Sequence, residues 1–145
     1  MFYGEYDSKI DDKGRVIIPA KLRDAVPEDE LAAGFMMRLG EDGCVTLYTQ
    51  NRWREVEEAV TRSRQNSRSA RRHRRFVFTQ AERGHCDKQG RLRIPPRLLD
   101  DAGISREVVV LGVSDEIEIW DKSRWDAFKA EMMAEREGDA ESYPL

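Results

Sequence analysis

The chain carries one ten-residue pattern twice. Ile10-Asp11-Asp12-Lys13-Gly14-Arg15-Val16-Ile17-Ile18-Pro19 returns 76 positions later as Cys86-Asp87-Lys88-Gln89-Gly90-Arg91-Leu92-Arg93-Ile94-Pro95. In both copies an Asp stands four residues before an Arg, a Gly directly precedes that Arg, and a Pro follows four residues after it. A second pair of blocks repeats at an offset of 72: Met36–Gly40, Val45–Tyr48 and Arg52-Trp53 match Val108–Gly112, Ile117–Trp120 and Arg124-Trp125. A tandem duplication limits the possible folds severely. Whatever surface one half builds, a pseudo-twofold counterpart builds again, and paired surfaces suit a repetitive partner better than a single small substrate.

At 145 residues the chain has the length of about one domain, and halves of about 70 residues would be marginal alone. The expectation is therefore a single interlocked domain over 1–145. Repeat one covers about 1–61, an arginine-rich connector about 62–75, and repeat two about 76–145. Within each repeat, Asp11-Asp12-Lys13-Gly14 and Asp87-Lys88-Gln89-Gly90 predict a tight hairpin turn. Asp accepts a backbone N–H two residues on, and Gly14 or Gly90 tolerates the left-handed conformation. Strands are expected at Lys9-Ile10, Arg15–Ile18, Phe35–Leu39, Cys44–Tyr48, Val108–Leu111 and Glu116–Trp120. Pro19 opens a short helix over 20–26, and its counterpart runs from Pro95 to Ala102. Each repeat closes on an amphipathic helix, with Trp53, Val56 and Val60 on one face and Trp125, Phe128 and Met132 on the other repeat's. Thr49 and Asp121 are the expected N-caps. Packing is the expected role of these stripes, with their faces also the candidate contacts between copies. The order fits an α+β chain with a small β-barrel and helices outside.

Charged residues are 37% of the chain, and the net charge of −3 conceals an uneven distribution. Arg62, Arg64, Arg68, Arg71, Arg72, Arg74 and Arg75 stand with His73 and no acid, whereas the C-terminal stretch is acidic through Glu131, Glu135, Glu137, Asp139 and Glu141. The arginine stretch reads as a continuation of the first long helix, weakened by Ser63, Ser67 and Ser69, or as an ordered loop. Its role is open between a solvated or acid-pairing segment and direct phosphate contact by Arg71, Arg72, Arg74 and Arg75. No apolar run is long enough to span a membrane and no signal-peptide pattern opens the chain, so a cytoplasmic protein is expected. Cys44 and Cys86 lack metal-ligand spacing, and His85 beside Cys86 does not supply it. No nucleophile elbow, phosphate loop or zinc-protease motif is present. Neither a metal, a cofactor, a small-molecule substrate nor an enzyme activity is expected.

An arginine on a hairpin has a chemistry suited to DNA. Its rigid fork of donors engages guanine O6 and N7, and a two-stranded ribbon fits the major groove. Lys13, Lys9, Lys21 and Lys88 could add phosphate contacts. For Arg15 and Arg91 the alternative is a hairpin-stabilising ion pair with Asp11 and Asp87, and both roles can hold together, with each Asp orienting its Arg.

Met1-Phe2-Tyr3-Gly4, the two Asp-x-x-Gly-Arg turns each followed by Pro, and Phe76–Glu82 ahead of the second turn resemble the MraZ family over nearly the whole chain. These are bacterial transcriptional regulators related to AbrB-type regulators. The resemblance implies a tandem-duplicated, swapped-hairpin, double-split β-barrel with peripheral helices. It also implies a ring-shaped homo-oligomer, nucleoid-associated, that binds double-stranded DNA at short direct repeats upstream of the division and cell-wall gene cluster. By position, Arg15 and Arg23 are the residues that approach DNA in AbrB-like relatives, with Arg91 the second-half equivalent of Arg15. Leu99 stands where the first half has Arg23. A protein-interaction or antitoxin-like adaptor, or an RNA-binding regulator, is the alternative on the same scaffold.

Overall fold

The computed structural model describes residues 1–62 and 67–138, so Ser63, Arg64, Asp139 and Glu141 lie outside the described residues. The chain runs β1 (Glu5–Lys9), β2 (Arg15–Ile17), α1 (Ala20–Arg23), α2 (Glu28–Ala33), β3 (Phe35–Leu39), β4 (Val45–Tyr48) and α3 (Gln50–Thr61). It continues through α4 (Arg68–Gln80), β5 (Glu82–Gly84), β6 (Arg91–Arg93), α5 (Pro96–Asp101), β7 (Glu107–Val113), β8 (Glu116–Asp121) and α6 (Lys122–Gly138).

The strands pair across the duplication. A six-stranded antiparallel sheet has the order β1-β7-β8-β4-β3-β5, and β2 and β6 form a separate two-stranded ribbon. Strand β1 of the first half thus lies on β7 of the second, and β5 of the second lies on β3 of the first. The two β3–β4 and β7–β8 hairpins meet where β4 pairs with β8. The Asp-x-x-Gly turns form as expected, but the strands on either side of each turn do not ladder with each other. β1 goes to β7 and β2 goes to β6, which corrects the simple hairpin expected at Lys9–Ile18 and its repeat. The reason is burial: Val16 and Leu92 face one another at the ribbon's centre, and both are fully buried. Among the described residues the ladder ends at β1 and β5 and does not close into a barrel.

One core cluster fills the space between the ribbon and the inner sheet face. Val16, Ile18, Leu92 and Ile94 meet Met37, Val45, Leu47, Val108, Val110, Ile117 and Ile119, with Leu22 and Leu98 from the short helices. Helix α1 stops at Arg23, short of the expected residue 26. Pro27 drives the preceding residue out of helical conformation, and Val26 turns into the core instead. Helix α2, which the sequence pattern did not suggest, follows with Glu28, Asp29 and Glu30 in its first turn, where they complement the helix dipole.

The outer sheet face carries two smaller clusters. Trp120, Cys44, Val109 and Leu111 pack beneath Trp125 and Phe128 of α6. Burial pushes the Cys44 thiol up to about 12, so it behaves as a small apolar group. Tyr48, Trp53 and Val77 pack with Met36, Val56 and Val60 at the other side. Helix α4 is a separate element rather than a continuation of α3, because Ser67 caps it by accepting from Ala70 N at 3.1 Å. Thr49 caps α3 by accepting from Arg52 N at 3.2 Å, whereas Asp121 Oδ2 reaches Arg124 N only at 3.4 Å. Covered by Val77 of α4, the Trp53 face is an internal contact. One close approach ties the N-terminus down: a Cβ on Gly112 would collide with the backbone of Phe2 and Tyr3, and Phe2 N donates to Ser114 O at 2.6 Å.

Trp53 is 2% exposed and joins α3 to both the sheet and α4. Trp53→Ala is expected to cost about 3–5 kcal/mol of unfolding free energy, read by urea denaturation. A loss under about 1 kcal/mol would show that this cluster does not hold the helices.

Candidate nucleic-acid interface

Each Asp-x-x-Gly-Arg turn is built by one carboxylate. Asp11 Oδ1 accepts from Lys13 N and Arg15 N, both at 2.9 Å, and Oδ2 accepts from Arg15 Nε at 2.7 Å. The second turn reproduces the set: Asp87 Oδ1 accepts from Gln89 N and Arg91 N at 2.9 Å, and Oδ2 accepts from Arg91 Nε at 2.7 Å. Gly14 at φ 76° and Gly90 at φ 82° take the left-handed step that closes the turn. Both arginines are half-buried, and the ion pair does not use all of their donors. Nε is committed to the Asp, and among the described residues no acceptor is bonded to either terminal nitrogen of Arg15 or Arg91.

The ladder brings the two turns together. Arg15 faces Arg93, Val16 faces Leu92, and Ile17 faces Arg91. Ile18 N donates to Gly90 O and Ile94 N to Gly14 O, both at 2.9 Å, so each turn closes on the end of the other repeat's strand. Val16 and Leu92 point to the core, which puts Arg15, Ile17, Arg91 and Arg93 on the opposite face of the ribbon. Arg15 and Arg91 lie two ladder positions and one strand apart, roughly 8 Å between α-carbons. Arg93 is the residue that the sequence reading missed. The alternation of Arg91, Leu92 and Arg93 was the available signal, since period two puts the two arginines on one face.

Arg23 is the correction. Its Nε donates to Ile18 O at 2.8 Å, and its guanidinium lies over Gly90, where an added Cβ would come within 2.5 Å of Nε. The basic helix residue of the first half thus serves the second half's turn, because the ribbon exchanges partners. Leu99 takes the matching place near Gly14, in a shallow groove with Lys13, Arg15, Arg93 and Pro96. The arginine turn backed by a second guanidinium is therefore that of Arg91, not that of Arg15. Lys13 and Lys88 are exposed on the two turns and Lys21 is exposed on α1. Lys9 sits instead on β1 opposite Glu107, outside the ribbon. The α4 arginines occupy a separate helix: Arg71, Arg72 and Arg75 are exposed and Arg74 is half-buried. Among the described residues, no group of three or more His, Cys, Asp or Glu side chains could hold a metal. No described helix is long and apolar enough to cross a membrane.

The Asp11 and Asp87 carboxyls are held below the ordinary aspartate range, chiefly by the backbone N–H of Arg15 and Arg91 and further by the guanidinium of the same residue. A depressed carboxyl contributes stability that is complete above the ordinary range and is lost as pH falls through the lowered value. Thermal unfolding followed from about pH 5 to about pH 2 is expected to show a shallower acid loss in the Asp11→Asn/Asp87→Asn variant. An unchanged acid slope would show that these turns carry none of it.

Comparison with known proteins finds matching relatives along the whole chain. The family model described as "MraZ protein, putative antitoxin-like" matches twice, over residues 1–76 and 77–142. A protein of Acetivibrio thermocellus named transcriptional regulator MraZ is 37% identical over 145 residues, covering 100% of this chain and 98% of the relative. A protein of the same name from Lactobacillus helveticus is 38% identical over 142 residues, 98% of this chain and 96% of its own. Another from Pediococcus pentosaceus is 41% identical over 126 residues, covering 87% and 85%.

Proposed function

Because the chain belongs to the MraZ family, we propose that it is a sequence-specific DNA-binding transcriptional regulator whose β2–β6 ribbon enters the major groove. The observation that carries this reading is the ribbon's outer face, where Arg15, Arg91 and Arg93 stand together. The terminal nitrogens of Arg15 and Arg91 have no partner among the described residues. Aspartates Asp11 and Asp87 aim the arginines rather than touch DNA, since a carboxylate near phosphate is repulsive. Around the ribbon, Lys13, Lys88, Lys21 and Arg23 supply phosphate or base contacts, with Lys9 more distant on β1. Arg71, Arg72, Arg74 and Arg75 on α4 offer sequence-independent attraction to phosphates.

The exchanged strands favour reading the fold as a swapped-hairpin, double-split barrel, one interlocked domain of two repeats. The proposed target is a set of short direct repeats upstream of the division and cell-wall gene cluster, bound by a ring-shaped homo-oligomer associated with the nucleoid. Tethered copies meeting repeated sites gain avidity that one short ribbon lacks. The antitoxin-like wording of the family description supports a second reading, a protein-interaction adaptor on the same scaffold.

A gel shift separates the two. Binding to DNA upstream of the protein's own gene should exceed binding to scrambled duplex at the same salt, and equal binding would end the specific-regulator reading. Arg15→Ala and Arg91→Ala are each expected to cost about 1–3 kcal/mol and relax base preference. Neutralising Arg71, Arg72, Arg74 and Arg75 together should lower affinity evenly across sequences and flatten its salt dependence. Light scattering should return an assembly larger than a dimer, and a stable monomer at micromolar concentration would remove the ring.

A further inference from the structure

The two turns match, but the surface between them is not symmetric. The ribbon's pseudo-twofold axis passes through the Val16–Leu92 pair and carries Arg15 onto Arg91, Ile17 onto Arg93, and Arg23 onto Leu99. Two of these three exchanges set an arginine against an apolar side chain, in opposite senses, with Arg93 in the second half and Arg23 in the first. One end of the ribbon holds Arg15 opposite Arg93, with Leu99 near Gly14. The other end holds Arg91 opposite Ile17, with the Arg23 guanidinium over Gly90. Ile17 is 51% exposed while its neighbours Val16 and Ile18 are fully buried, so it fills no core and lies open among arginines.

Resting on the reading that this ribbon enters DNA at direct repeats, which sets every protomer in one direction, we infer that Arg93 and Ile17 are the residues that fix that direction, by giving the ribbon's two ends different base preferences. Arg93 presents two donors that fit guanine O6 and N7, beside the equally equipped Arg15. Ile17 has nothing to donate, and its fitting major-groove contact is the thymine methyl. The roughly 8 Å between Arg15 and Arg91 covers about two to three base-pair steps, enough for the ends to meet separate pairs. One end then favours G·C and the other tolerates or favours A·T. A ribbon with identical ends would match a site with its own dyad, whereas these ends match a site without one. Arg93 and Ile17 set the direction, and Arg23 adds a further difference, a guanidinium over one turn's glycine where Leu99 lies near the other's.

Selection from a random-sequence duplex library tests this directly, because every possible site competes in one pool. The wild-type chain should enrich a motif lacking an internal dyad. Arg93→Ile should change base frequencies at one end of that motif, with roughly a tenfold loss of affinity for the wild-type sequence. Ile17→Arg/Arg23→Leu and Arg93→Ile/Leu99→Arg each make the halves alike at these positions, in opposite senses, and each should enrich a motif with matching ends. Thermal unfolding confirms that each variant is folded before selection. A dyad-symmetric wild-type motif, or folded variants that all keep the wild-type motif, would overturn the inference while leaving specific DNA recognition standing. Failure of the wild-type chain to enrich any motif would remove that recognition and the inference with it.

Discussion

Where β2 meets β6, Val16 and Leu92 form the central pair of a ribbon only three registered pairs long, and both side chains are sealed against the inner face of the six-stranded sheet. This contact fixes everything on the ribbon's far side. Because side chains alternate along a strand, seating Val16 and Leu92 inward forces Arg15, Ile17, Arg91 and Arg93 outward. A slip of one residue would bury arginines and expose the core pair, so the apolar residues set the register of the charged ones. The turns then inherit their positions, since each glycine carbonyl accepts from the isoleucine just past the opposite strand, Ile94 for Gly14 and Ile18 for Gly90.

Rigidity at the surface comes from a different source. An arginine carries many rotamers, and holding it in place costs entropy that a solvated ion pair rarely recovers. Here one carboxylate makes three bonds to its turn, two to backbone N–H groups and one to Nε. The backbone bonds already order the Asp, so orienting the guanidinium needs little more. The same device occurs twice, and it leaves the terminal nitrogens of Arg15 and Arg91 without a bonded acceptor among the described residues.

Local chemistry was legible in the sequence, and partnership was not. The turns at Asp11 and Asp87, the strand Phe35–Leu39 and the Thr49 cap follow from residue types within a few positions, and the structure has them where the pattern put them. Strand pairing depends on which apolar faces meet after collapse, and periodicity does not carry that. Hence β1 and β2 were expected to pair with each other, and Arg23 was expected to serve its own turn. Helix α2 escaped because Glu28–Ala33 presents no buried residue and so no apolar stripe. Arg93 escaped because the repeat differs there, an arginine in one copy standing where the other has Ile17.

The strand exchange also governs the order in which the chain can be made. Glu5 of β1 pairs with Leu111 of β7, 106 positions later. A ribosome adding about 5–20 residues per second leaves β1 without its partner for roughly 5–20 s, far longer than local turns and helices need to form. Val16 waits similarly for Leu92, with its apolar side chain in water. The waiting strand β2 spans only three residues and is preceded by a charged turn, features that discourage pairing with a neighbouring chain. Duplication has thus made the first repeat's completion contingent on synthesis of the second, and the nascent N-terminal half has no finished state of its own.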